Sequence, residues 1–304
     1  MKPITHILAA TDLSAPARHA VMRAFRIAAA TGAQCTVLHA LELDALDAVR
    51  EWFGDEMTQL KQQLETRAEA GLGQLVAGAS GAGNGAIAAR IVHGAPLAAI
   101  VGEADRLAAD LLVLGVRGDD YLRRLLLGST ASRILRKATG HPVLVVKEPP
   151  HEDYRRVLVP VDFSPASRGA VDYARRAAPG ADLVLFHAYE VPFEGKLTYA
   201  GVESSVIERY RLAARNDALG RMRQLADAAG LAPGDYTPCI VHGDASQQIV
   251  AQEQELDRDL IVIGKHGVHV TEELLLGSVT KHVLAESQCD VLVICDRSTR
   301  NDQR

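Results

Sequence analysis

Gly115-Val-Arg-Gly118, nine residues, Gly128-Ser129; then again Gly264-Lys-His-Gly267, nine residues, Gly277-Ser278. The copies stand 149 residues apart. Each follows an apolar run (residues 111–114; 260–263) and precedes a helical stretch and a second apolar run (143–146; 291–294). A lone G-x-x-G carries little information. The same long spacing twice, in the same context, marks a duplication in which each half has a site able to cradle phosphate.

The duplication extends through the chain, and repeats decide the fold before any local reading does. Ile7-Leu-Ala-Ala-Thr-Asp12-Leu-Ser14 matches Val157-Leu-Val-Pro-Val-Asp162-Phe-Ser164, and Ile91-Val-His93-Gly94 matches Ile240-Val-His242-Gly243. The offset stays between 148 and 150 residues, the length of a domain rather than of a solenoid unit. Lys147-Glu-Pro-Pro-His-Glu-Asp-Tyr-Arg155 supplies a polar junction. The expected domains are 1–148 and 152–297, with a polar tail at 298–304.

Composition fits ordinary soluble domains: 48% hydrophobic and 23% charged, with a core that must be aliphatic because aromatics are 4%. A net charge of −5 with no Lys/Arg block disfavours nucleic acid as a partner. No apolar run approaches the roughly 20 residues that span a bilayer. The start, Met-Lys-Pro-Ile-Thr-His, has no signal-peptide layout. Cys35, Cys239, Cys289 and Cys295 form no C-x-x-C pair, and a reducing cytoplasm is the expected location.

Short apolar runs at 4–10, 35–41, 87–92, 111–114 and 143–146 read as strands covered on both faces. Helical patterns lie between them at 15–31, 47–77 (where Gly71 and Gly73 are possible breaks), 96–108 and 129–138. The second half repeats the order, with strands at 156–161, 183–189, 236–241, 260–263 and 291–294. Its helices fall at 167–178, 203–229, 245–255 and 278–286. Strand–helix alternation predicts an α/β fold: a parallel, doubly wound sheet with helices on both faces in each half. Such sheets bind ligands at the carboxyl ends of strands, where the strand order reverses.

Residue chemistry at those ends narrows the site. Glycine at 115 and 118 permits positive φ and close approach of a ligand. Gly128-Ser129 and Gly277-Ser278 open helices whose free amides favour an anion; the competing reading is a turn followed by an N-cap. Asp12 and Asp162, each two residues before a serine, can accept from a ribose or base, hold a divalent cation, or cap the first helix. His39, His187, His93 and His242 end strands, a structural position. His266, His269 and His282 occur in the second half only and do not make a metal site.

Together these features resemble the universal stress protein (UspA) family in its tandem form. G-x2-G-x9-G-[ST] is that family's ATP-binding signature. P-x-D-x-S is met by Pro160, Asp162 and Ser164, with Ala10 replacing the proline in the first half. H-G-x-P is met by His93, Gly94 and Pro96, whereas the second half has His242-Gly243-Asp244-Ala245. The resemblance implies two Rossmann-like domains (adenine nucleotide alpha hydrolase-like), each a five-stranded parallel sheet, that form an intrachain pseudo-dimer. A homodimer of chains is expected too. It places ATP, with or without magnesium, against Pro160, Val161, Asp162, Ala188, Ile263, Gly264, Gly267, Gly277, Ser278, Val279 and Thr280. In the first half it implies Ala10, Thr11, Asp12, Ala40, Leu114, Gly115, Gly118, Gly128, Ser129 and Thr130. Ala131 stands where the second half has Thr280, a loss of one phosphate-facing hydroxyl, and Asp119 and Asp120 add negative charge near the first loop. Arg117, Arg123 and Arg124 offset it in part. The second site is therefore expected to bind ATP better.

Catalysis is not indicated. No lysine sits between the last glycine and serine of either loop, as a P-loop requires. No base for an attacking water and no Ser-His-Asp order is evident. The expected protein binds ATP as a conformational or oligomeric switch in stress signalling, with at most slow hydrolysis. The alternatives are a scaffold without nucleotide and an adenine-nucleotide-dependent enzyme. The glycine loop alone does not separate ATP from a cyclic nucleotide.

Overall fold

The structure is a computed structural model of the 304-residue chain that describes residues 2–43, 55–78, 86–116, 128–137, 140–267 and 276–295. Side chains of residues 55–57 are also outside the described set. So are Gly118, the charged residues at 117, 119, 120, 123 and 124, His269, the start of the 47–77 segment, and the tail.

The described residues form two compact units. The first contains β1 (His6–Ala10), α1 (Ala15–Thr31), β2 (Gln34–Leu41), α2 (Asp55–Ala77), β3 (Ile87–His93), α3 (Pro96–Leu107), β4 (Leu111–Gly115), α4 (Ser129–Lys137) and β5 (Val143–Val146). Its strands run in the order β3-β2-β1-β4-β5, and the pairings are parallel. The second contains β6 (Arg156–Pro160), α5 (Pro165–Ala177), β7 (Asp182–Tyr189), α6 (Glu194–Tyr199), α7 (Ser204–Ala228), β8 (Thr237–His242), α8 (Ala245–Glu255), β9 (Leu260–Gly264), α9 (Ser278–Glu286) and β10 (Asp290–Ile294). It repeats the order as β8-β7-β6-β9-β10, again in parallel.

Consecutive strand residues point to opposite faces. Ile7, Leu8 and Ala9 of β1, and Leu111, Leu112 and Val113 of β4, are all fully buried, so helices cover both faces of the sheet. Val157, Leu158, Val159, Leu260, Ile261 and Val262 do the same in the second unit. The outer strands differ. β3 and β8 are largely exposed or half-buried, and β8 carries Pro238, which an outer strand tolerates because one side needs no donor.

Three details depart from the sequence reading. α2 runs through Gly71 and Gly73 without a break, since a helical glycine weakens a helix rather than ending it. α5 begins at Pro165 rather than residue 167, because proline at the first helical position has no amide to leave unpaired. The six-residue α6 was not anticipated; it is too short for a periodic signal. The junction is irregular and tied to α1: Arg23 donates to Glu152 O (2.7 Å) and Arg26 to His151 O (2.6 Å).

Candidate functional site

In both units the order reverses between the first and fourth strands, so the carboxyl ends of β1/β4 and β6/β9 flank the switch point. In the second unit a cavity of about 380 Å³ opens there. All eleven residues singled out in that half lie on its wall, from Pro160 to Thr280. Ser167, Phe186, His187, Ala245, Ile249 and His266 also line it. Of these, Ser167 had a legible signal, the spacing Asp162-x-Ser164-x-x-Ser167.

The turn after β6 is built around a carboxylate. Asp162 Oδ1 accepts from Ser164 N (3.0 Å), Ser164 Oγ (2.5 Å) and Ser167 Oγ (2.6 Å). Phe163 takes φ 64°, a left-handed conformation that a bulky side chain rarely adopts. The His187 ring lies 4.4 Å from the Phe163 ring, and the Arg221 guanidinium also stands 4.4 Å from it. His187 Nδ1 is 2.7 Å from Val161 O. A carbonyl only accepts, so Nδ1 carries the hydrogen and the ring ties the ends of β6 and β7 together. Burial lowers the His187 pKa below 6.5; the Val161 carbonyl only partly opposes it.

Positive φ, one of the two reasons expected for glycine at 115, does not apply: Gly115, Gly264, Gly267 and Gly277 all lie outside the left-handed region. They are crowded instead. A Cβ on Gly115 would stand 3.0 Å from Pro16 O and 3.2 Å from Ala17 Cα. On Gly264 it would meet His266 O at 3.3 Å, on Gly267 Asp162 Oδ2 at 3.0 Å, and on Gly277 Lys265 O at 3.3 Å. The glycines let chain pass chain at the switch point.

Each loop is pinned where it returns: Gly128 N donates to Val116 O (2.8 Å) and Gly277 N to Lys265 O (3.0 Å). Gly277 caps α9 without a side chain, so its first-turn amides have no side-chain partner from the cap. Ser278 is exposed, and its hydroxyl makes no hydrogen bond among the described residues. Thr280 corrects an expectation. It lines the cavity, but its hydroxyl donates to Gly264 O (2.8 Å), so its donor holds the strand end rather than waiting for phosphate. At the mouth of α8, where Ala245 stands at the proline's position, Asp244 caps the helix by accepting from Gln247 N (3.1 Å).

The first unit repeats the frame. Ala10, Thr11, Asp12, Ala40, Leu114 and Gly115 share the carboxyl ends of β1, β2 and β4; Gly128 precedes α4, which Ser129 and Thr130 open. His39 Nδ1 lies 2.8 Å from Thr11 O, and Leu13 takes φ 67°. Asp12 is exposed and Asp162 half-buried. No group of three His, Cys, Asp or Glu among the described residues is disposed to hold a metal ion, and no described helix is long and apolar enough to cross a membrane.

A universal stress protein of Mycolicibacterium smegmatis is 29% identical over 307 residues, covering 96% of this chain and 97% of the relative. Another, from Mycobacterium tuberculosis (strain H37Rv), is 29% identical over 191 residues, 61% of either chain. The fold is shared with the crystal structure of a universal stress protein from Archaeoglobus fulgidus, at TM-score 0.65 and 23% identity over 96% of this chain and 98% of that one. The universal stress protein family profile matches residues 3–147 and again 153–294, and the chain belongs to that family.

Proposed function

We propose that the chain binds ATP, with the second unit as the principal site, and that the nucleotide acts as a conformational or oligomeric switch in a stress response. One observation carries this reading: eleven residues spread from Pro160 to Thr280 converge on a single cavity at the switch point. About 380 Å³ falls in the range of ligand pockets, roughly 300–1,000 Å³. The donor set fits a nucleotide. Val161, Ala188 and Ile263 offer apolar surface to a base, Asp162 an acceptor to a sugar, and the start of α9 an electropositive end and the Ser278 hydroxyl to phosphates. With Asp162 Oδ1 engaged by three donors, magnesium would arrive on the triphosphate rather than be held by a protein cage.

Neither glycine loop carries the lysine of a P-loop, so hydrolysis is expected to be slow or absent. A switch requires ATP to favour one of two states, here two oligomeric states of a cytoplasmic protein that forms homodimers. The test is a nucleotide inventory. Protein purified without added nucleotide is denatured and the released molecules identified by mass spectrometry; stripped protein is then titrated with ATP, with and without magnesium, and sized by light scattering. ATP or ADP at one or two per chain, with a size change, is expected. Absence of both bound nucleotide and titratable binding would refute the reading in favour of a scaffold.

A further inference from the structure

An acceptor discriminates between ligand hydroxyls only when its own position is fixed. Asp162 is fixed by a closed arrangement: Ser167 Oγ accepts from Asp162 N (2.9 Å) and donates to Asp162 Oδ1 (2.6 Å). One hydroxyl thus sets both the backbone and the carboxylate of the same residue. Ser167 is 4% exposed and lies on the cavity wall, in the first turn of α5.

The first unit lacks this device. Ala17 stands where Ser167 does, and Asp12 Oδ1 accepts only from Ser14 N (3.0 Å) among the described residues. Ser14 Oγ accepts from Ala17 N (3.4 Å), as Ser164 Oγ does from Ser167 N (3.3 Å), but among the described residues it makes no bond to Asp12 like that of Ser164 Oγ to Asp162. The two acids share a backbone position, but only Asp162 is held by hydroxyls.

We propose that Ser167 is a positioning residue that gives the second-unit site its selectivity for a ligand bearing ribose hydroxyls: it presents the Asp162 carboxylate as a preorganised acceptor for the sugar. The inference rests on the nucleotide reading of the cavity and adds to it a source of sugar discrimination that the first unit does not have.

The test compares ATP with 2′,3′-dideoxy-ATP on the full chain, by calorimetric titration of the wild type and of Ser167→Ala. A hydrogen bond to a charged acceptor predicts that the wild type prefers ATP by roughly 10- to 100-fold. Ser167→Ala should weaken ATP binding by roughly 5- to 20-fold and change dideoxy-ATP binding less than about twofold. In an Asp162→Asn background, Ser167→Ala should add no further loss of discrimination, a control that holds even if the single variant is somewhat destabilised. Equal weakening of both nucleotides by Ser167→Ala, or no weakening, overturns the inference alone. A wild type that binds neither nucleotide overturns the nucleotide reading and this inference with it.

Discussion

The turns after β1 and β6 follow the same path and are held by different side chains. Both pass through a left-handed residue, Leu13 or Phe163, and both are tied to the next strand by a histidine Nδ1. In the first, Thr11 Oγ1 accepts from Leu13 N (2.9 Å) and Ser14 serves the helix. In the second, Val161 offers no hydroxyl, and Ser164 and Ser167 turn onto Asp162. Thr280 adds a hydrogen bond to Gly264 O that Ala131 cannot make to Gly115. The backbone path is the same in both copies, while the hydroxyls bonded to the acid after the first strand are found in the second.

The sharpest break in the comparison lies at the strand-end glycines. Gly115→Ala drives a methyl into backbone atoms of Pro16 and Ala17, which cannot yield as a flexible side chain would. We expect a loss of about 1–3 kcal/mol in denaturant unfolding. Gly264→Ala meets its nearest atoms at 3.3 and 3.4 Å and should cost less. The reverse order would mean that the two switch points are not crowded as described.

Thr280→Val removes the donor to Gly264 O while keeping the shape, and should destabilise the chain by about 0.5–1.5 kcal/mol. Ala131→Thr should offer the first unit the equivalent bond; a loss there as large as that of Thr280→Val would show that the two helices sit differently on their strands. Removing the α8 cap by Asp244→Ala should cost about 1 kcal/mol. The corresponding place in the first unit is already an alanine, Ala95, with no side-chain cap; Pro96→Ala beside it removes no capping bond and should cost less.

The gentlest difference is in pH. A histidine whose folded pKa is lowered takes up its proton more readily unfolded. His187 therefore contributes stability that is complete above about pH 6.5 and lost as pH falls through its folded value. Histidine resonances followed by NMR should show His187 titrating below 6.5, and His187→Gln should flatten that part of the stability profile. A His187 titrating above 6.5 would contradict the burial that the ring's position implies.

The duplication and the strands were legible because each depends on local pattern: apolar runs and repeated spacing. The eleven second-half positions came from the resemblance to the universal stress protein family, and they line one cavity. What escaped depends on neighbours distant in sequence. Glycine at 115 was expected to permit positive φ and close approach of a ligand, whereas crowding by Pro16 O, far earlier in the chain, explains it, and no local rule reports that contact. Thr280 was expected to face phosphate, but a hydroxyl in the first turn of a helix goes to the nearest carbonyl, Gly264 O. Phe186, Ile249 and His266 reach the cavity only because of how β7, α8 and the loop after β9 are stacked. Residues 117–127, with Gly118 and the acidic pair at 119 and 120, lie outside the described residues.

Inequality of the two sites is most directly tested by ATP titration of the wild type beside separate Gly128→Val and Gly277→Val chains, each first checked for folding by circular dichroism. The account predicts that Gly277→Val removes the tighter class of sites and Gly128→Val leaves it in place. Equal losses from the two substitutions would contradict it.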